Sequence, residues 1–519
     1  MTGERHDVAR HDVARYDVAR HDVARYDVAV VGAGPNGLTA AAYLARAGAS
    51  VIVFEQRFER GGTLASDDYS TPFTYNQAQL LLPLGAELPP YHDLGLDEHG
   101  VAFIEPPLAF ALVLDGEPFF VERGGRGLGD EVQAMLGPAS SLAPRLWYLP
   151  ATRAETQTEH PRLGFETPRT LSERAADERA AMVLRYACGM VGFHDPDRTL
   201  GAIGACALAR IFEPVLVAGG SKGLANGLFR AAARAGARCL VSTRVVAIDP
   251  GVDGVGLRLA DGRRFTATAV VSTLDPRTTF GPLLGSHVGT ELRAAAAGWQ
   301  LERAGSFTAH FGVKGAVPPA RRGDGEDAMV RVIGFSSADG VTAHFQAVSA
   351  GRLPDRPAGH LTVTTLHDRL QASPGPYGPL NTVRMETLAP YEHPGGDWDR
   401  LRVGYRQSCW ELACAEIDGL DRVLRLFQFA DSPRDLERRF STTRNGSLRH
   451  GALCPGQTLT DRPHVSCVNG RTPVPGLFLG GGGTHPGVPG ALAGGYHAAA
   501  AVCAELGLDR WWPDASMKL

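Results

Sequence analysis

Three glycines and one carboxylate carry the clearest chemistry in the chain. Gly32, Gly34 and Gly37 lie in Tyr26 to Gly37, YDVAVVGAGPNG, and Glu55 follows 21 residues after Gly34. The G-x-G-x-x-G spacing is that of a turn that cradles a dinucleotide. Gly32 permits the tight turn, Gly34 lets backbone approach a pyrophosphate, and Gly37 lets a helix pack closely on a strand. Pro35 and Asn36 complete the turn. A helix N-terminus at this point offers free N–H groups and a positive dipole end to phosphates. Glu55 is placed where a carboxylate accepts both ribose hydroxyls.

These residues need a particular scaffold, and the sequence supplies it. DVAVV reads as a buried strand, LTAAAYLARAG as a helix, and SVIVFE as a second apolar strand ending at Glu55. That is a βαβ unit. In a chain with 63 glycines a bare spacing match would mean little. The flanking strand, helix and strand make it specific. Two further glycine turns follow. Gly61-Gly62 comes after Gln56, Arg57 and the short stretch to Arg60, with Thr63 next. Gly480 to Gly483 sits between the apolar GLFL and an alanine-rich helix expected to start at Val488-Pro489.

Composition bounds the rest. The 519 residues suffice for two or three domains, and 44% hydrophobic with 21% charged is ordinary globular usage. A net charge of -4 argues against a nucleic-acid partner. Eight scattered cysteines (Cys188, Cys206, Cys239, Cys409, Cys414, Cys454, Cys467, Cys503) include no C-x-x-C pair, so neither a disulfide framework nor a metal site is expected. No apolar run reaches the ~18 residues that span a bilayer, and the N-terminus has no signal-peptide core. The expectation is a cytoplasmic protein.

Residues 6 to 30 are five copies of a pentad, HDVAR, HDVAR, YDVAR, HDVAR and YDVAV, the last being the first strand itself. A five-residue period buries no continuous face, so residues 1–25 read as a solvated tail rather than a metal tract through His6, His11 and His21. Ala181 to Gly192 has helical spacing, and residues 152 to 180 read as surface helices or a mobile segment. From Val215 the pattern is loop, helix and strand, then a hairpin turning at Asp261-Gly262. Residues 306 to 313 and 327 to 367 alternate as antiparallel strands do. Asp397 to Leu420 is helical, and VLRLFQFA is a strand. The expected fold class is α/β, with a Rossmann-like domain assembled from 26–95, 215–290 and 440–510. An inserted α+β substrate domain with an antiparallel sheet takes 96–214 and 291–439, and 511–519 is a C-terminal tail.

Glu55-Gln56-Arg57 followed by Gly61-Gly62-Thr63 resembles the E-x-R-x-x-x-G-G-R signature of the FAD-dependent amine oxidase and phytoene desaturase superfamily. GLFLGGGGTHPGVPGAL is similar to the flavin-binding motif of its carotenoid desaturase-like members. GGSKGLANGL resembles the G-G-x-x-x-L stretch, and Arg244-Val245-Val246 the adenine-side segment. Gly446, His450-Gly451 and Asp461-Arg462-Pro463 resemble the phytoene-dehydrogenase-related branch. The matches cover roughly half of the chain. The resemblance implies noncovalent FAD in a glutathione-reductase-like domain. It implies cofactor contacts at Val245, Val246, Gly482, Gly483, Pro489, Ala491 and Leu492, besides those already named in the two N-terminal turns. Thr63 departs from the usual Arg of the signature. Free N–H groups near Ala491 and Leu492 would face the flavin N1 and O2 edge, where a positive dipole end favours the anionic reduced flavin.

Among titratable side chains, His485 is the candidate for steering a proton, beside the alternative that it fixes its loop by a hydrogen bond. His450 reads as structural and Asp461-Arg462 as a local ion pair. Trp398, Trp410, Tyr377, Tyr391 and Tyr405 either line a substrate tunnel or fill the core, the latter being the commoner use of aromatics. The resemblance implies hydride transfer from a substrate C–H to flavin N5, forming a C=C or C=N bond in an apolar small molecule. A flavin-dependent amine oxidase, a non-redox isomerase and a non-catalytic partner-binding relative are the rivals. The electron acceptor and any peripheral membrane contact are left open.

Overall fold

The computed structural model describes residues 25–114, 117–152, 154, 160–320, 327–373, 378–488 and 492–513. The copies of the pentad that carry His6, His11 and His21, together with Tyr377, Pro489 and Ala491, lie outside the described residues.

One seven-stranded sheet is built around the opening βαβ unit. Strand Arg25–Val31 lies parallel between Val51–Phe54 and Arg264–Ser272, and Arg238–Leu240 extends the edge beyond Val51–Phe54. Val245–Gly251 and Gly254–Leu259 continue the other side as antiparallel strands, and Leu477–Leu479 joins Arg264–Ser272 in parallel. The strand tips of three distant segments therefore meet at one edge. Arg25, assigned to the tail by the sequence reading, already pairs with Thr266 inside this sheet. Helix Pro35–Arg46 covers the sheet with small residues, so the closing helix Ala493–Leu506 and helix Lys222–Arg234 both pack against it.

A second seven-stranded sheet runs in the order Leu424–Asp431, Ala304–Lys314, Leu380–Pro390, Gly359–Thr362, Ala328–Ile333, Leu108–Leu114, Glu117–Glu122. It is antiparallel except where Ala328–Ile333 pairs in parallel with Leu108–Leu114, a departure from the all-antiparallel expectation. The 327 to 367 stretch is also not all strand. Its middle is helix Ala338–Ser349, capped by the Ser337 hydroxyl accepting from Gly340 N, with Val341, Phe345 and Val348 buried at helical spacing. A period near 3.6 governs there, not the expected period of two.

The expected elements elsewhere are present. Helix Glu178–Val191 ends on Gly192 in the left-handed region, helix Trp398–Glu416 is capped by Asp397, and the hairpin turns at Asp261-Gly262. Alternation along the second sheet decides what it carries. Phe307, Ala309, Phe311 and Val313 face a core with Trp398, Tyr405 and Trp410, where Trp398 is 1% exposed. The aromatics of that helix are therefore core, not tunnel. Ser306, Thr308 and His310 occupy the alternate positions of the same strand and point to the other face. Tyr391 is half-buried at the end of the adjoining strand.

Candidate active site

Two cavities border the glycine turns. The first, of ≈ 380 Å³, is lined by Gly32, Gly34, Pro35, Asn36, Glu55, Gln56, Arg57, Gly62, Thr63, Val245, Val246 and Gly482. Twelve sequence candidates from four chain segments thus share one wall. Arg277, Arg439, Ser441, Thr442, Arg444 and His450 add to it.

The geometry of this cradle follows from its glycines. A Cβ at Gly37 would overlap the Gly32 carbonyl oxygen, so only glycine lets the opening helix sit this close to the turn. Gly62, at φ 53°, brings its backbone against the Gly34 Cα, where a Cβ would stand 3.1 Å away. Gly61 N donates to the Ala33 carbonyl at 2.9 Å and locks the two turns together. Gly34 itself looks onto open space, with nothing within 4 Å of a Cβ position. Pro35 is the first residue of the helix and its first turn holds no carboxylate, so the positive dipole end is free to meet an anion.

Glu55 is 9% exposed. Its Oε2 accepts from Ala33 N and its Oε1 from Arg57 N, both at 2.9 Å. Burial raises the carboxyl from its ordinary value, and the backbone N–H groups of Arg57 and Ala33 pull it back. Each oxygen keeps lone-pair capacity for a hydroxyl in the cavity. Arg57 pairs with Glu59 at 2.8 Å, and Gln56 donates to the Ser441 hydroxyl at 2.9 Å. Thr63 accepts at its carbonyl from Gln79 N and fills the place of the family's usual Arg.

At the far end the Gly480 to Gly483 turn packs against protein backbone. A Cβ at Gly481 would overlap the Thr273 carbonyl, and one at Gly483 would press on Pro276 at 2.8 Å. Gly482 reaches the cavity, whereas Gly483 is occupied with Pro276. The final helix begins at Ala493, with Leu492 in the left-handed region at φ 62° as its cap. The expected start at Pro489 lies outside the described residues, and within the helix Gly494 and Gly495 lie against the Gly480, Gly481 and Asn36 carbonyls, where a Cβ would clash. Gly495 N donates to Asn36 Oδ1 at 3.0 Å and ties the two glycine turns to each other.

Arg462 holds this end in place in a way the sequence reading missed. It makes no ion pair with Asp461. Its donors go to the carbonyls of Gly482 (2.7 Å), Gln457, Arg449 and Ala452, and its guanidinium lies 5.0 Å over the Trp299 ring. Burial without a carboxylate lowers its pKa to about 10. The five-donor fork suits a cluster of carbonyls better than Asp461 would.

His485 is not brought to either cavity lining. Its Nε2 meets the Leu146 carbonyl at 3.2 Å, and burial beside His497 pushes its pKa down to about 3. This is the loop-fixing arrangement, with a ring neutral at physiological pH. His450, read as structural, lines the first cavity with its Nδ1 buried and without a protein partner. Burial and then Arg462 lower its pKa to about 4.

The second cavity, of ≈ 210 Å³, is apolar over most of its wall. Leu80 to Pro83, Met190, Val191, Ile211, Leu388, Leu448 and Val488 supply that surface. Its charged side chains are paired. Arg384 pairs with Glu386 at 2.7 Å, Arg210 with Glu213 at 2.7 Å, and Arg449 with Glu302 at 2.5 Å. The cavities adjoin across short walls, one of them the Gln79–Thr63 hydrogen bond. Ser447, Leu448 and Arg449 line the second and His450 lines the first, while Val488 of the second packs on Gly482 of the first. None of the second cavity's polar residues was singled out from the sequence. Their one signal is the polar alternate positions of LNTVRMETLAP and GHLT.

A nucleotide cradle of two interlocked glycine turns, closed by a third segment from the C-terminus, defines a class of flavin-dependent enzyme. The chain matches the family described as FAD dependent oxidoreductase over residues 27–302, and it belongs to that family. It is an FAD-dependent oxidoreductase. One of the subunits of limonene dehydrogenase from Castellaniella defragrans is 29% identical over 93% of this chain and 96% of its own length. Hydroxyneurosporene desaturase of Cereibacter sphaeroides is 25% identical over 92% of this chain and 97% of its own. Among solved structures, cyclohexylamine oxidase from Brevibacterium oxydans superposes with a TM-score of 0.60 at 15% identity, over 93% of this chain and 99% of that one. The fold is that of this superfamily, as the two motifs implied.

The residues present fit FAD. Gly34 and Gly62 leave a backbone-walled opening beside a helix N-terminus, Glu55 offers acceptor capacity at the ribose position, and His450 presents an unpartnered ring nitrogen at the far end. Among the described residues no metal-binding group is formed, and no helix is long and apolar enough to cross a membrane.

Proposed function

We propose that the chain dehydrogenates an apolar small molecule held in the second cavity: one C–H bond gives up its hydride, the adjacent carbon loses a proton that passes to solvent, and a C=C bond is left. One observation carries this reading. The apolar cavity meets the cofactor cavity across thin walls at Ser447 to His450, at Gly482 with Val488, and at the Thr63–Gln79 hydrogen bond. FAD, when bound, supplies the hydride acceptor. The protein's own contribution is binding and orientation. Glu55 holds the ribose end, Gly34, Gly62 and the first turn after Pro35 hold the pyrophosphate, and Gln56, Arg57, Thr63, Val245 and Val246 wall the nucleotide. Gly482, propped by Arg462, shapes the end nearest the substrate. The Leu80 to Pro83, Met190 and Leu388 wall excludes water from the reacting bond. His485 has no part in the chemistry beyond fixing its loop.

The names of the two enzyme relatives, a limonene dehydrogenase and a desaturase, support an apolar substrate. An amine oxidase is disfavoured, because Glu386, the one carboxylate among the described lining residues, is already matched by Arg384 and is not left for an ammonium group. We assign segments 26–95, 215–290 and 440–510 to the cofactor domain and 96–214 and 291–439 to the substrate domain; Trp511 and Trp512, expected in a C-terminal tail, pack on Tyr43 of the cofactor domain. We also place the protein in the cytoplasm, in keeping with its eight free cysteines. The test is a visible spectrum of purified protein, followed by an anaerobic screen of cyclic alkenes and amines. Flavin bands bleached by alkenes fulfil the proposal. A colourless protein, or bleaching by amines alone with peroxide formed in air, overturns it.

A further inference from the structure

One corner of the second cavity is unexplained by an apolar occupant. The second sheet brings His360 of Gly359–Thr362 directly opposite Glu386 of Leu380–Pro390, with Arg384 two residues away on the same face. Ser306 donates to Glu386 Oε1 at 2.7 Å, and Arg384 holds Glu386 Oε2 at 2.7 Å. Tyr186, from helix Glu178–Val191, reaches His360 Nδ1 at 2.7 Å. All five residues line the cavity. His360 Nε2 stands 4.0 Å from Glu386 Oε2, beyond hydrogen-bonding reach, and has no other partner among the described residues.

This arrangement selects a tautomer. Burial pushes the Glu386 carboxyl up, but the Arg384 charge and the Ser306 hydroxyl outweigh it and hold the group below its ordinary value, as a carboxylate. An anion facing Nε2 favours a proton there, so the Tyr186 hydroxyl donates to Nδ1. Burial keeps the ring neutral, with a pKa lowered to about 4. An N–H donor without a protein partner is thereby left facing a cavity that is largely apolar. An unpaired buried donor is costly, and a site built around one discriminates strongly in favour of a ligand that satisfies it.

We propose that this corner recognises a carbonyl or hydroxyl oxygen on an otherwise apolar substrate, with His360 Nε2–H as the donor and Tyr186, Glu386 and Arg384 as positioning residues. The substrate is then an oxygenated apolar molecule rather than a pure hydrocarbon. Its oxygen sits at the His360 corner, and its reacting C–H bond toward the Val488 wall. This rests on the second cavity being the substrate site.

The test is calorimetric binding of 4-methylcyclohexanone and methylcyclohexane to the FAD-loaded protein, neither needing turnover. Asparagine places an amide near the Nδ1 position and glutamine near the Nε2 position. His360→Asn is expected to weaken the ketone at least tenfold, about 1.4 kcal/mol, and methylcyclohexane less than about twofold. His360→Gln is expected to retain most of the ketone affinity. Tyr186→Phe, which keeps the ring packing, is expected to weaken the ketone alone, by about threefold. Equal weakening of both probes, or a glutamine variant as weak as the asparagine one, overturns the proposal. A ketone-selective loss in a protein that neither alkenes nor ketones bleach would leave this corner standing and sink the hydride reading. Wild-type protein that binds neither probe would overturn both.

Discussion

The two cavities are built by opposite means. The cofactor cradle is made of backbone: two glycine turns in contact, a helix N-terminus, and a third turn fixed by carbonyl-to-arginine bonds. The second cavity is made of side chains, drawn from the alternate face of one sheet, two helices and the Leu80 to Pro83 stretch. A backbone cradle tolerates almost no added atom. A side-chain cavity tolerates exchange of apolar groups but not a new unpaired charge. The first kind of site serves one invariant ligand fragment, and the second kind sets which molecule is acted upon.

That contrast is broken most severely at Gly37. Gly37→Ala pushes a methyl into the Gly32 carbonyl, so we expect loss of roughly 3 kcal/mol or more and no retained flavin. Denaturant unfolding and the flavin content of the purified variant measure both. In the other cavity, Leu388→Asp sets a second carboxylate two residues beyond Glu386 on the same face. Flavin should stay bound while kcat/KM for an apolar substrate falls at least ~100-fold, or about 2.7 kcal/mol. If flavin is lost as well, the two sites are not separable in this way.

Most of the first cavity was legible in the sequence, and almost none of the second. Gly32, Gly34, Gly37, Glu55 and the Gly61-Gly62 turn lie within 31 residues, and each is demanded by backbone sterics that hold in any such fold. Tyr186, His360 and Glu386 are brought together only by strand register and the placement of helix Glu178–Val191. Neither is encoded in local spacing. The same limit explains the helix Ala338–Ser349 read as strand and the Arg462 clamp read as an ion pair with Asp461. His485 stands out in sequence because it lies in a motif. Its burial against the Leu146 carbonyl depends on a helix more than 300 residues away in the chain.

Asp431 sharpens the comparison by pH. It lies on the second sheet beside His310, whose Nε2 is 4.0 Å from Asp431 Oδ2, and neither atom has a hydrogen-bond partner. Burial, then Asp435, raises the Asp431 carboxyl to about 7, while Arg439, Arg402 and Arg384 oppose the rise. Because the folded value lies above the unfolded one, stability is full below the ordinary carboxylate range. It is lost progressively as pH climbs to about 7. Asp431→Asn should flatten that dependence and stabilise the protein at pH 8 by something on the order of 2 kcal/mol, read from urea unfolding at several pH values. His310, held well below its ordinary value by burial and the nearby arginines, stays neutral throughout.

Within the cradle, Glu55→Gln should weaken FAD about tenfold, or about 1.4 kcal/mol, since an amide accepts fewer bonds than the carboxylate. Fluorescence titration of stripped protein reads the change. Arg57→Ala should cost least, within about 1 kcal/mol, because its pair with Glu59 is partly solvent-exposed.

Anaerobic addition of apolar cyclic alkenes and ketones to the purified flavoprotein, followed by its visible absorption, tests the central claim most directly. The account predicts that at least one bleaches the bound flavin in wild type, and that Leu388→Asp retains the flavin but resists bleaching. Flavin that stays oxidised with every apolar compound, yet bleaches with amines in both proteins, would contradict it.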